Sequence, residues 1–477
     1  MFILESLSRL KTLLARALTD TFPHETINGI QMMQKTIENI QNRNLCLAVA
    51  GSGYVGLPTA ALFANVGFHV TALDIRDEVV KAVNSGLTPL NEPGLQELIS
   101  RNVEVGRLRA SLSSDENLNQ ADAVIISVQT PICKNKKPNL SFLEKALEDV
   151  GEAIKKGMLV VVSSTASPGT MQTLVKPKLE SLSGLKADTD FYLAYVPERI
   201  APGNALKEFV ESPRLVGGMG PNSTKIASEL FKTVCKTVIE TDTSTAEIAK
   251  LAENTFRDVN IAFANQLALI CEQHEVNVKK VIELANTHPR VNIHTPGPGV
   301  GGPCLTKDPY LLLHSSKPID HDIIKTARQI NDYMPKHITK QIQQALKKTG
   351  KDIKNSKIAI LGTAYKADVD DSRQSPSNPI IHELIKLGAE VTVYDPHCNQ
   401  TFGAKKANSI HEAVKGSDCL VVITDHTEFK NLSLKEIKAL MNEKPTIIDG
   451  RIIINPYRAE KSGFTYYGIG LGKPRKR

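Results

Sequence analysis

The spacing of apolar and polar positions changes character near residue 43. Before it, Met1–Leu18 (MFILESLSRLKTLLARAL) alternates apolar and basic positions with a helical period, which predicts a surface helix or an extension outside any core. Glu5 and the lack of a long apolar stretch argue against a cleaved leader. From residue 45 the apolar runs become short and unbroken, the mark of strands buried on both faces. Leu45–Ala50 is the first and runs straight into a glycine turn, after which Pro58 opens a helix ending near Gly67. His69–Leu73, Ala123–Val128, Leu159–Ser163, Tyr192–Val196 and Arg214–Val216 read as further strands. Helical segments lie between most of them, including Ser141–Lys155, where Ser141 and Glu144 have capping-box spacing.

From Ser244 to about Glu275 the pattern is one long helix with no Pro or Gly to interrupt it. A span of about 30 residues at 1.5 Å each is roughly 45 Å, long enough to tie two domains together or to form a subunit interface. A second helix is predicted over about Asp322–Lys348, and Lys347–Lys351 reads as a linker. Alternation then resumes, with strands at Lys357–Leu361, Glu390–Tyr394, Cys419–Ile423 and Thr446–Ile448. The expected architecture is α/β: two doubly wound parallel-sheet domains joined by the long central helix and a helical middle domain. The boundaries are an extension 1–43, a first α/β domain 44–240, a central helical domain with a glycine-rich loop 241–348, a second α/β domain 352–472 and a basic tail 473–477.

A chain of 477 residues exceeds one hydrophobic core and suits this division. Tryptophan is absent and only 5% of residues are aromatic, so a base-stacking surface is not expected and no nucleic-acid partner is predicted. The net charge of +7 is spread thinly, and part of it sits in Lys473–Arg477, read as a solvated tail. No apolar run approaches the roughly 20 residues a bilayer-spanning helix needs, so no integral membrane segment is expected. The seven cysteines show neither zinc nor dithiol spacing, which points to a reducing cytoplasm. Cys46 and Cys419 lie in apolar runs and read as inert core residues.

Two segments carry chemistry. Gly51-Ser52-Gly53-Tyr54-Val55-Gly56 is a G-x-G-x-x-G turn between a strand and a helix. There glycines permit the turn and the approach of a pyrophosphate, and the helix N-terminus attracts its charge. Asp74, 18 residues past Gly56, is placed for a ribose 2′-hydroxyl and would repel a 2′-phosphate, so NAD is favoured over NADP; Arg76 beside it pulls the other way. Both α/β domains are therefore expected to be Rossmann-like. The second opens on Gly362-Thr363-Ala364-Tyr365-Lys366 without the three-glycine spacing, so no second dinucleotide is predicted. Lys366 and Arg373 are either diphosphate ligands or solvated surface charges.

The other segment is Pro296-Gly297-Pro298-Gly299-Val300-Gly301-Gly302-Pro303-Cys304, a loop that presents its cysteine. Lys307 and Asp308 follow, a polar setting that suits a nucleophilic thiol. Lys250 and Asn254 share a helical face with Arg257 one turn on, either as a solvated stripe or as functional groups. Leu251, Ala252, Phe256 and Val259 predict a separate apolar side for that helix.

The blocks GSGYVGLPTA, SVQTP, SSTASPGT, VPERIAPGNA, KLAENTFRDVNIAFANQLALICE, HPRVNIHTPGPGVGGPCLTKDP, AYKADVDDSRQSP and TDHTEF resemble the UDP-glucose/GDP-mannose dehydrogenase family over about residues 44–472. PERIAPGNA and HPRVNIHTPGPGVGG are most similar to members that oxidise UDP-N-acetyl-D-mannosamine. Where UDP-glucose enzymes carry P-E-F-L-R-E, this chain has Pro197-Glu198-Arg199-Ile200-Ala201-Pro202. The resemblance implies an NAD-dependent four-electron oxidation of a UDP-sugar, with Cys304 as nucleophile, Lys250 as acid/base or oxyanion partner, Asn254 beside that oxygen, and Asp308 orienting water or Lys250. It implies Thr130 and Thr165 beside the nicotinamide. Glu198, Arg199, Ile200, Arg257, Gly301, Tyr365, Lys366 and Arg373 would lie around the nucleotide sugar, with His288 and Arg290 reaching it across a homodimer interface. UDP-N-acetylglucosamine, UDP-glucose and GDP-mannose are alternative substrates, and a non-catalytic nucleotide-sugar sensor is an alternative role. The amino-sugar members carry histidine where this chain has Pro303.

Overall fold

In the computed structural model, residues 24–112, 115–317, 320 and 322–471 are described; Met1–Leu18 and the tail 473–477 lie outside them. The chain divides into two compact units, Met1–Leu251 and Ala252–Arg477, with the division inside the long helix.

The first unit is built on eight strands: β1 (Cys46–Ala50), β2 (His69–Asp74), β3 (Leu108–Leu112), β4 (Ala123–Ile126), β5 (Leu159–Val162), β6 (Tyr192–Tyr195), β7 (Arg214–Gly218) and β8 (Val238–Asp242). Their order is β3-β2-β1-β4-β5-β6-β7-β8. Every neighbouring pair is parallel except β6 and β7. Successive side chains alternate between faces, and both faces are covered. Leu47, Val49, Ile125 and Val161 enter one core, Ala48, Val124, Val160 and Val162 the other. That double burial is why the strands read as unbroken apolar runs. β3 and β8 lie at the sheet edges; β3 mixes buried with exposed positions and β8 has only half-buried and exposed ones, so their sequences do not read as buried strands.

Three local expectations need correction. Helix Ser141–Ala153 is not closed by a capping box: Asn139 accepts from both the Ser141 amide (3.1 Å) and its hydroxyl (2.7 Å). Cys46 is exposed at the first position of β1, before the strand enters the core, whereas Cys419 is buried. Part of the N-terminal extension belongs to the core. Helix His24–Gln41 buries Ile40 fully in it and packs Met32, Met33 and Ile37 against it.

The second unit carries a six-stranded, wholly parallel sheet: β9 (Lys357–Leu361), β10 (Glu390–Tyr394), β11 (Lys405–Lys406), β12 (Cys419–Val422), β13 (Thr446–Asp449) and β14 (Thr465–Gly468). The order is β11-β10-β9-β12-β13-β14, again with a core on each face. The long helix spans Thr243–Gln273, 31 residues. The second predicted helix runs Ile323–Lys348, with Asp322 as its N-cap accepting from the Lys325 amide at 3.0 Å.

Candidate active site

In the first unit the glycine turn follows β1 at the carboxyl edge of the sheet, where β1 lies between β2 and β4 and the strand order reverses. This is the place where doubly wound sheets bind ligands. Gly51 has φ +97°, and a Cβ there would sit 2.6 Å from the Ser127 carbonyl. A Cβ on Gly56 would strike the Gly51 carbonyl at 1.7 Å, so both glycines are demanded by the fold. Gly53 is different. No heavy atom lies within 4 Å of its Cβ position, so packing does not require glycine there and the position stands open to a ligand. Tyr54 and Val55 are half-buried between it and helix Gly56–Asn65.

Asp74 ends β2, 8% exposed. Its carboxylate accepts from the Ser52 amide (3.1 Å), the Arg76 amide (3.0 Å) and the Arg76 guanidinium (3.0 and 3.1 Å). Burial is the largest influence and raises its pKa, but the hydrogen bonds from Arg76 and Ser52 outweigh it and hold the group below the usual carboxylate range. Arg76 thus serves the aspartate from within the chain. Thr130 and Thr165, from the ends of β4 and β5, are brought together: the Thr130 hydroxyl donates to the Thr165 carbonyl at 2.7 Å. These residues fit NAD.

The Pro197–Asn204 loop after β6 is held by carboxylates. Glu198 accepts from the Arg199 (2.7 Å) and Ile200 (3.0 Å) amides and pairs with the buried Arg214 guanidinium at 2.9 Å. Glu208 accepts from Ala201 at 2.7 Å, and Glu92 accepts from Gly203 and Ala205, each at 2.7 Å. Glu198, expected around the sugar, therefore acts here as an anchor for Arg199 and Ile200. Glu92 was not legible as a functional residue, because its partners lie more than 100 residues away.

On the long helix the expected apolar side holds at Leu251, which is fully buried, and fails at Phe256. Lys250 (6% exposed) and Asn254 (8%) are buried, while Phe256 is 63% exposed; Arg257 is exposed as well. The helix buries polar groups and shows solvent an aromatic one, so neither a solvated Lys/Asn stripe nor an apolar inner face containing Phe256 describes it.

In the second unit Cys304 is half-exposed at the end of the glycine-rich loop. Its carbonyl accepts from the Lys307 (3.0 Å) and Asp308 (2.8 Å) amides, which starts helix Asp308–His314. Asp308 is fully buried and accepts from the Asn254 amide at 2.6 Å. The loop is fixed along its length: Asn260 accepts from the His294 amide and Asn265 from the Gly297 amide, both at 2.8 Å, and Gly302 donates to the Arg373 carbonyl at 3.0 Å. Its glycines have a steric reason. A Cβ on Gly301 would lie 2.7 Å from Tyr365, and one on Gly302, at φ +89°, would lie 2.8 Å from the same ring. Tyr365 is pushed up to about 12 by burial first, then by the charges of Asp371 and Cys304. Arg373 is clamped by Asp371 at 2.6–3.1 Å, and Lys366 is exposed. His288 and Arg290 lie on an exposed turn after helix Val278–Ala285.

Two residues of this unit escaped the sequence reading. Arg451, just past the carboxyl end of β13, brings its guanidinium within 3.0 Å of the Gly297 Cβ position; its place at a strand end was the available clue. Asp395, the residue just past the carboxyl end of β10, is fully engaged by the Thr363, Ala364, His397 and Cys398 amides and by His426 at 3.0 Å. Its side chain is 1% exposed, so the carboxylate is not open to a ligand as it stands.

Family models match in three consecutive stretches. Residues 45–235 match the NAD binding domain, 244–333 the central domain and 359–456 the UDP binding domain of the UDP-glucose/GDP-mannose dehydrogenase family. The UDP-N-acetyl-D-mannosamine dehydrogenase of Pyrococcus horikoshii is 43% identical over 89% of this chain and 99% of its own length. The Methanocaldococcus jannaschii enzyme of the same name is 39% identical over 92% and 100%. Among solved structures, the P. horikoshii enzyme superposes with a TM-score of 0.85 at 42% identity, over 90% of this chain and all of that one. The NDP-N-acetyl-D-galactosaminuronic acid dehydrogenase of Methanosarcina mazei gives 0.80 at 37%, over 92% and 98%. With an NAD-binding glycine turn, a presented cysteine and these matches over nearly its whole length, the chain belongs to the UDP-glucose/GDP-mannose dehydrogenase family.

Proposed function

We propose that the protein oxidises the C6 alcohol of UDP-N-acetyl-D-mannosamine to the carboxylate through a covalent intermediate on Cys304. The observation that carries the reading is the buried Asn254–Asp308 hydrogen bond at 2.6 Å. Through it the segment that begins at Cys304 is locked to the polar face of the long helix, where Lys250 stands one turn before Asn254. A four-electron oxidation releases two hydrides, and two NAD molecules bound in succession would each take up one.

The chain's own groups do the rest. An aldehyde cannot lose a second hydride until a nucleophile adds, and the Cys304 thiolate adds to its carbonyl carbon to give a thiohemiacetal. Loss of hydride and of the hydroxyl proton leaves a thioester. Water adds to the thioester carbonyl, the C–S bond breaks with the Cys304 thiolate as leaving group, and the sugar carboxylate is released. Lys250 and the Asn254 amide donate to the negative oxygen at each addition, and Asp308 holds that amide. Tyr365 keeps its phenolic proton through neutral pH and packs against Gly301 and Gly302. Lys366, Arg373 and Arg451 supply positive charge for the diphosphate.

The sugar rests on relatives 37–43% identical that carry the N-acetylmannosamine name. A second reading, an NDP-N-acetyl-D-galactosamine-type substrate, has the M. mazei neighbour in its favour. Counting NADH per sugar decides between them. Two NADH with UDP-N-acetyl-D-mannosamine alone is the expected result; two with the galactosamine nucleotide alone moves the assignment, and none with any nucleotide sugar sinks the enzyme reading.

We also infer a homodimer. Phe256, Phe263 and Ile270 are 63%, 53% and 44% exposed at seven-residue intervals along the long helix, the spacing of a helix-pairing seam. No helix among the described residues is long and apolar enough to cross a membrane. With no disulfide joining any of the seven cysteines, a reducing cytoplasm is the proposed location.

A further inference from the structure

Glu247 lies on the long helix, is 0% exposed, and was not among the residues that the sequence singled out. Its two carboxylate oxygens are both used. One accepts from the Gly169 amide at 2.7 Å and the other from the Met171 amide at 2.8 Å. Those amides open the π-helical turn Met171–Val175 and lie just beyond Thr165, whose carbonyl is tied to Thr130.

The choice of residue is unusual. An amide pair at a helix start is ordinarily satisfied by a neighbouring serine, threonine or aspartate. Here Ser167 stands at the right place, yet its buried hydroxyl makes no hydrogen bond among the described residues. A carboxylate from 76 and 78 residues away does the work instead. Burying a carboxylate is costly; the two short N–H···O bonds from Gly169 and Met171 oppose that cost, yet burial still holds the Glu247 carboxyl above its usual range. A local cap would satisfy the amides equally well but would connect nothing. Glu247 connects the segment after β5 to the helical turn that carries Lys250, three residues on and on the same face.

We propose that Glu247 is a positioning residue whose carboxylate fixes the Thr165–Met171 segment against the turn of helix bearing Lys250. The nicotinamide-side threonine and the lysine then hold one register. The inference rests on the roles proposed above for Thr165 and Lys250. Positioning at the reacting centre is steep in its effect: a shift of about 1 Å costs on the order of 100-fold in rate.

The test uses the full chain as wild type, Glu247→Gln and Glu247→Asp. NAD and UDP-N-acetyl-D-mannosamine are the ligands, the sugar both unlabelled and deuterated at C6. Glu247→Gln is expected to lower kcat by about tenfold or more, with both the KM for the sugar and the calorimetric Kd for NAD held within about threefold. The primary deuterium isotope effect should rise, because hydride removal becomes slower than product release. Amide exchange should accelerate in residues 165–175 of the variant and not across the rest of the first sheet. Wild-type kcat and an unchanged isotope effect in a folded Glu247→Gln would overturn the proposal. So would a lowered Tm with no change in either quantity, which is the mark of a purely structural role. If the glutamine variant does not fold, Glu247→Asp answers the same question, since it keeps the charge and shortens the reach by one carbon. An inactive wild type would defeat the functional reading instead, and the exchange measurement alone would then decide on the clamp.

Discussion

At Cys304 the thiol is half-exposed at the end of a loop in which each anchoring contact is a named atom pair: Asn265 to Gly297, Arg373 to Gly302, and Asp308 to Cys304 itself. The other cysteines lack such a setting. Cys235, Cys271, Cys398 and Cys419 are buried, and burial raises their pKa values, which disfavours the thiolate. Cys304→Ala should therefore abolish formation of the acid, while calorimetric binding of NAD stays as in the wild type. Acid production at the wild-type rate in that variant would exclude covalent catalysis. Cys304 was legible because glycine and proline cannot be mistaken for a helix or strand interior. Glu92, Glu198 and Glu247 were not legible in their roles, because a carboxylate that holds backbone amides leaves no pattern in its own neighbourhood.

The long helix shows what one element can carry. Its outward stripe of Phe256, Phe263 and Ile270 and its buried Lys250, Asn254 and Asp258 occupy different faces. Replacing Phe256 and Phe263 together by glutamate should convert a dimer to monomer in light scattering coupled to gel filtration; a dimer that survives both charges would rule out this seam. Farther inward, Asp258 accepts from Arg328 at 2.6 Å and from Asn331 at 2.8 Å, and Asn331 in turn accepts from Asn265, which holds Gly297. Burial pushes the Asp258 carboxyl up, and the Arg328 charge opposes it. Arg328→Met strands that carboxylate and should cost about 3–5 kcal/mol in denaturant unfolding. Adding Asp258→Asn should restore part of the loss. If the single variant is as stable as the wild type, the pair contributes nothing to the support of the loop.

For the whole molecule, the sequence by itself determined the alternation of strand and helix, the dinucleotide turn, the cysteine loop and the family. These depend on short-range rules: side-chain period, the φ freedom of glycine, and motifs whose chemistry is contiguous. It did not reveal the edge strands β3 and β8, which carry exposed positions among buried or half-buried ones, nor the antiparallel join between β6 and β7. It also did not show that helix His24–Gln41, before the family match begins at residue 45, buries Ile40 in the first core. Tertiary structure alone decided which polar groups are buried and whom they serve. Asp74, at the carboxyl end of β2, is held by Ser52 and Arg76 beside an open glycine, while Asp395, just past the end of β10, is held by four backbone amides and His426. The two aspartates lie at or just past the ends of strands of similar pattern. The physical difference is the set of amides and the histidine that the rest of the chain brings to the second one, and no local pattern encodes that.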